Sequence, residues 1–149
     1  TVDVAANLDV NEYNGEKRGS VKIKDVRLHG VKQDKLVVGR QYYEKYCRHE
    51  PLEEKIREYI CPQREDVAGL YRFLRQCGGF AFGYDMLWCR LRGINYCKMR
   101  ICIDVMQELG LIERARLSSS GEVALRLPDK VVKTQLDQSR ILRQLKVGE

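Results

Sequence analysis

The sequence predicts an α+β chain: an N-terminal β-hairpin, then a mostly helical region that closes on a second, shorter pair of strands. Three observations predict it. Val2, Val4, Ala6, Leu8 and Val10 alternate strictly, as one face of a strand does. Residues 65–109 carry three helix-period runs, each followed by glycine. Residues 111–117 and 122–127 read as strands around Ser118-Ser119-Ser120-Gly121, which has turn chemistry. The expected organisation is a hairpin over 1–30, a helical connector over 31–61, a packed domain over 62–128 and a C-terminal helix over 129–149.

Within residues 2–28 the return strand alternates at Val21 and Ile23. It then changes parity at Val26 and Leu28. One extra residue near Lys24-Asp25 explains the slip as a β-bulge. Asn14-Gly15 is a strong hairpin-turn signal. A two-stranded hairpin is marginal alone in water, so this one is expected to join a larger sheet or to pair with a neighbouring chain. Residues 30–38 read as a linker or a short strand. Residues 41–48 form a helix with Tyr42, Tyr43, Tyr46 and Cys47 on one side. Those tyrosines either stack on bases or pack with wet hydroxyls, and tyrosine's fitness for half-buried positions favours packing. Pro51 is expected to open the next helix, with Leu52, Ile56, Tyr59 and Ile60 as its buried stripe. Cys61-Pro62 ends it.

Val67, Leu70, Tyr71 and Leu74 give residues 65–77 a helix stripe, stopped by Gly78-Gly79. Residues 78–83 read as a turn, because they follow a helix and lack the lysine and hydroxyl of a phosphate loop. Helices over 84–91 and 96–109 follow. The third of these three carries a wide apolar stripe of Met99, Cys102, Ile103, Val105, Met106 and Leu109, as a buried helix needs. Helix, helix, helix, strand, turn, strand is the order of a winged helix-turn-helix, in which the third helix usually reads DNA. Here Asp104 and Glu108 on its polar side repel phosphates. Backbone contact, or no contact on that face, is therefore expected over major-groove reading. Pro128-Asp129 then turns the chain into a last helix over 134–146.

The net charge is +6 and uneven. Residues 86–103 contain no acid, but hold Arg90, Arg92, Lys98 and Arg100. Arg114, Arg116 and Arg126 lie in the strand pair. A polyanion partner fits this distribution, and so does an ordinary solvated basic face. Catalysis has no visible basis: the two histidines, His29 and His49, are distant, and no acid-rich motif holds metal ions. The six cysteines, at 47, 61, 77, 89, 97 and 102, fit no zinc spacing and read as reduced core thiols. No apolar run reaches the roughly 20 residues of a membrane span. The start, Thr1-Val2-Asp3, has no methionine and no signal features, and reads as an internal point of a longer protein.

The stretch Asn7-Leu8-Asp9-Val10-Asn11-Glu12-Tyr13-Asn14-Gly15, followed by Val21-Lys22-Ile23-Lys24-Asp25-Val26-Arg27, resembles the end of the OB-fold domain of the RecJ-type single-stranded-DNA-specific exonucleases. In that family an Asn-Glu-aromatic-x-Gly turn joins the last long strands, and an Asp-aliphatic pair closes the domain. Arg64-Glu65, Leu70-Tyr71 and Glu108-Leu109-Gly110-Leu111-Ile112 are similar to the extra C-terminal domain of some bacterial members.

The resemblance implies a hairpin from an incomplete OB fold, followed by a winged-helix-like domain, within a bacterial cytoplasmic protein of recombination and repair. It implies a 5′-to-3′ exonuclease of the DHH phosphoesterase superfamily, with Mn²⁺ or Mg²⁺ in a catalytic core that lies outside these residues. No cofactor or catalytic residue is expected here; Gly78-Gly79-Phe80 lacks the histidine of the family's Gly-Gly-His motif. The expected partners are single-stranded DNA and a repair protein, with no membrane. Candidate nucleic-acid contacts are Tyr13, Lys17, Arg18, Arg90, Arg92, Lys98, Arg100, Arg114 and Arg116. For Asn11 and Gly15, turn geometry outweighs DNA contact. The alternatives are a free-standing winged-helix regulator of duplex DNA and a protein-docking module.

Overall fold

A computed structural model describes residues 2–30, 32–91, 93–117, 122–130 and 134–147, apart from the side chains of Tyr13, Arg27, Leu28 and Phe82. It is α+β. The chain divides into two compact units, Thr1–Lys32 and Gln33–Glu149.

The first unit is one antiparallel ribbon, β1 (Val2–Tyr13) paired with β2 (Glu16–Leu28). Asn14 and Gly15 both take positive φ, 52° and 78°, as a two-residue turn matched to strand twist requires. Ala5 faces Asp25 and Ala6 faces Ile23, so Lys24 is the extra residue. The bulge keeps Val26, Ile23 and Val21 opposite Val4, Ala6 and Leu8, and one face stays apolar along its length. That face is open: Leu8 is 81% exposed and Val10 71%. An ion pair of Asp9 with Lys22 and a hydrogen bond between Asp3 and the His29 ring, each at 2.8 Å, decorate the ribbon's surface.

The second unit is helical around a small sheet. Its helices are α1 (Gln33–Cys47), α2 (Glu54–Ile60), α3 (Arg64–Cys77), α4 (Tyr84–Arg90), α5 (Tyr96–Glu108) and α6 (Arg140–Val147). A 3₁₀ turn, Leu136–Gln138, precedes α6. The antiparallel sheet has the order β3 (Phe80–Phe82), β5 (Val123–Arg126), β4 (Glu113–Arg116), with β5 central. Among the described residues no helix is long and apolar enough to cross a membrane.

α5 is the axis. Asn95 caps it by accepting from the Lys98 backbone N–H at 2.7 Å. One side, Met99, Cys102, Ile103 and Met106, packs with Val67, Leu70 and Leu74 of α3, Leu87 of α4, and Leu125 of β5. The other, Cys97, Ile101 and Val105, packs with Ile60 and Cys61 and with Leu142 and Leu145 of α6. Of its thirteen residues only Gln107 and Glu108, at the C-terminal end, are exposed.

The structure corrects several sequence expectations. The linker or strand expected over 30–38 is helix from Gln33 onward. Val37 and Val38 favour strand locally, but α1 must reach back over α5, and packing overrides propensity. Pro51 lies ahead of α2, whose N-cap is Glu53. The glycine-flanked turn over 78–83 contains β3, three residues that only pairing to β5 makes a strand. The last helix begins at Arg140 rather than Thr134. The expected wing tip, Ser118 to Gly121, lies outside the described residues.

Gly39 is buried in the middle of α1 because α5 passes against it. A Cβ there falls 2.7 Å from the Tyr96 Cβ and 3.5 Å from the Cys97 amide nitrogen. Alanine in a helix normally gains about 0.5–1 kcal/mol over glycine, whereas overpacking a rigid contact costs about 1–3 kcal/mol. Gly39→Ala is therefore expected to lower the urea midpoint at unchanged slope. A more stable Gly39→Ala would mean that the two helices are not in close contact.

Candidate nucleic-acid interface

The nine cations and aromatics singled out in the sequence separate into three groups. The Tyr13 side chain and Arg92 lie outside the described residues. Lys17, Arg18, Arg90 and Arg116 are exposed. Arg18 pairs with Glu16 at 3.3 Å, a solvent-facing contact of little energetic weight. Lys17 and Arg18 flank the hairpin turn, Arg90 ends α4, and Arg116 ends β4. The remaining three, Lys98, Arg100 and Arg114, have partners within the second unit; Lys98 and Arg100 are half-buried, while Arg114 lies on the exposed strand β4.

Lys98 lies in the first turn of α5, and its ammonium is 3.4 Å from Asp66 of α3. Arg100 projects toward α1 and α4. Its guanidinium carbon is 3.5 Å from the ring centre of Tyr84 and 4.1 Å from that of Tyr43. Cation–π contacts are worth about 0.5–1 kcal/mol when exposed and about 2 kcal/mol or more when desolvated. Nη1 donates to the Tyr96 hydroxyl at 3.1 Å, while Nε is shut off from solvent with no acceptor. Arg114 of β4 donates to Asp104 at 2.8 Å and to the Tyr84 hydroxyl at 3.5 Å. Tyr43 donates to the other oxygen of Asp104 at 2.7 Å. Arg40 of α1 pairs with Asp85 of α4. One polar and aromatic layer thus ties α1 to α4, α5 and β4.

The two acids of α5 that would repel a phosphate have internal uses. Asp104 anchors the layer just described. Glu108 accepts from the Ser139 hydroxyl and from the backbone N–H of Arg140 at 3.0 Å, and so holds the start of α6. Nothing local announces either contact, since the partners are 61 and 31 residues away. The tyrosines of α1 are half-buried: Tyr42, Tyr43 and Tyr46 pack against the α5–α6 core.

Electrostatics follow burial. Desolvation, then the charge of Asp104, raises Tyr43 and Tyr46 well above the ordinary phenol range. Desolvation raises Tyr96 too. It pushes Cys97 up to about 12 and Cys102 higher still. These thiols are not nucleophiles. Among the described residues no three His, Cys, Asp or Glu side chains converge as a metal site would need. The chain matches no known protein family, no curated protein and no solved structure.

Each of these phenols and thiols is held neutral by the fold. Their folded values are raised, so their contribution to stability is complete below the unfolded values and is lost as pH rises. Unfolded thiols and phenols ionise near pH 8.5 and 10. Chemical denaturation in a pH series is therefore expected to show stability falling from about pH 9 upward. A stability that rises into that range would contradict the buried neutral layer.

Proposed function

We propose that the chain is a non-catalytic accessory region of a RecJ-type single-stranded-DNA exonuclease acting in recombination and repair. On this reading the ribbon is the closing hairpin of an OB-fold domain. The second unit is a winged-helix-type domain, and the metal-dependent core with its Mn²⁺ or Mg²⁺ belongs to other parts of the protein. The observation that carries the reading is the ribbon. It has two strands, one long open apolar face and an Asn14-Gly15 turn. A ribbon of that kind cannot bury its own face, and it makes sense as part of a larger barrel.

The winged-helix assignment draws on the order α3, β3, α4, α5, β4, β5 and on the central position of β5. The duplex-binding regulator is the weaker reading. A groove-reading helix needs an open face, and α5 offers only Gln107 and Glu108. Single-strand contact then falls to exposed cations that track phosphates: Lys17 and Arg18 beside the hairpin turn, Arg90 and Arg116 on the second unit. A repair protein is the second partner on this reading.

Titration with labelled single-stranded and duplex oligonucleotides at two salt concentrations tests it. Preference for the single strand, weakening with salt, is expected. The double variant Lys17→Ala, Arg18→Ala is expected to reduce the slope of log K against log salt by about 1.4, the loss of two single-strand phosphate contacts. Duplex preference would restore the regulator. No binding to either form at low salt would leave the docking module.

A further inference from the structure

A second site lies at the C-terminal end of α1. A cavity of about 470 Å³ opens between the C-terminal end of α1, the connection over 48–53, α2 and α6. Its apolar wall is Tyr46, Pro51, Leu52 and Leu145. His49, Glu50, Arg57 and Gln144 supply its polar groups. That volume and mixture suit a small organic ligand: apolar body, few fixed polar contacts.

Arg57 gives the site its sign. It lines this cavity and an adjoining one, so it stands at the partition between them. Its Nε is shut off from solvent and has no hydrogen-bond acceptor. Among the described residues no carboxylate lies within ion-pair distance of it. Glu54 and Glu58 line the adjoining cavity only. The one acid on this cavity, Glu50, has Arg48 at 3.7 Å. A guanidinium held on an apolar wall without a counter-ion is set for a ligand that brings one.

The geometry points to a binding site for a small organic anion, an apolar body with a single carboxylate or phosphate, paired to Arg57. This goes beyond the exonuclease reading and does not depend on it. No residue of the candidate nucleic-acid set lines the cavity.

Amide-shift titration of the full chain tests it. The probes are benzoate, phenyl phosphate and, as neutral counterpart, benzyl alcohol. Saturable shifts are expected around residues 46–52, 57 and 144–145 with at least one anion. Benzyl alcohol is expected to bind at least about tenfold more weakly, the loss of one charge-assisted hydrogen bond. Benzoate against phenyl phosphate separates the carboxylate from the phosphate source. Arg57→Gln, with its spectrum unchanged away from the cavity, is expected to abolish the preference for anions. Absence of saturable shifts with both anions would overturn the site, as would equal binding of benzyl alcohol by the native chain. An anion preference that survives Arg57→Gln would overturn the role of Arg57.

Discussion

α5 must bury both of its sides at once, and the rest of the second unit follows from that. A helix with apolar residues on one stripe needs one neighbour. α5 carries Met99, Cys102, Ile103 and Met106 on one side and Cys97, Ile101 and Val105 on the other. It therefore needs a sheet and helices in front and further helices behind. α3, α4 and β5 cover the first side; α1, α2 and α6 close the second. Removing a single buried Ile side chain such as Ile101 to alanine forfeits about 2–5 kcal/mol in such a core. Both covers are thus tied to one element.

The closed axis determines what the cations do. Arg100 and Lys98 sit on α5 and cannot leave it, so when α1 and α3 close over the helix they carry their own partners to them. Tyr43 comes from α1, and Asp66 from α3. Tyr84 comes from α4. Arg114 reaches Asp104 from β4. Burying charge is costly unless it is paired or stacked, so these groups spend their charge on holding the unit together. Of the candidate nucleic-acid contacts, those left in water, Lys17, Arg18, Arg90 and Arg116, lie at or near strand and helix ends. The hairpin is the reverse case: its cations face solvent, and its apolar face does too.

Much of this was legible in the sequence. The alternation over residues 2–10, its change of parity after Ile23 and the Asn14-Gly15 turn locate the ribbon and its bulge, because strand period and turn chemistry are local. The helices of the second unit and their glycine stops are local as well. α1 was half hidden: Val37 and Val38 speak for strand, and what makes residues 33–40 helical is a crossing with Tyr96 that no neighbouring residue reveals. β3 was hidden for a similar reason, since three residues between glycines become a strand only opposite β5. The stripe read for α5 was correct but too narrow. Cys97 and Ile101 fall outside a single helical face, and a helix apolar on two faces is the signal that it is enclosed. The fate of Arg100, Arg114 and Lys98 was not legible, because each partner comes from a distant element.

α1 is a fixed part of the α5 core and not a cover that comes and goes. Native-state hydrogen exchange across a denaturant series measures this directly. If α1 and α5 form one enclosed core, the slowest amides of both exchange with the same free energy and the same denaturant dependence, that of global unfolding. If the α1 amides exchange through a separate, cheaper opening while α5 stays protected, the second face of α5 is available in the native protein. α5 would then not be an enclosed helix, and its cations would not be committed.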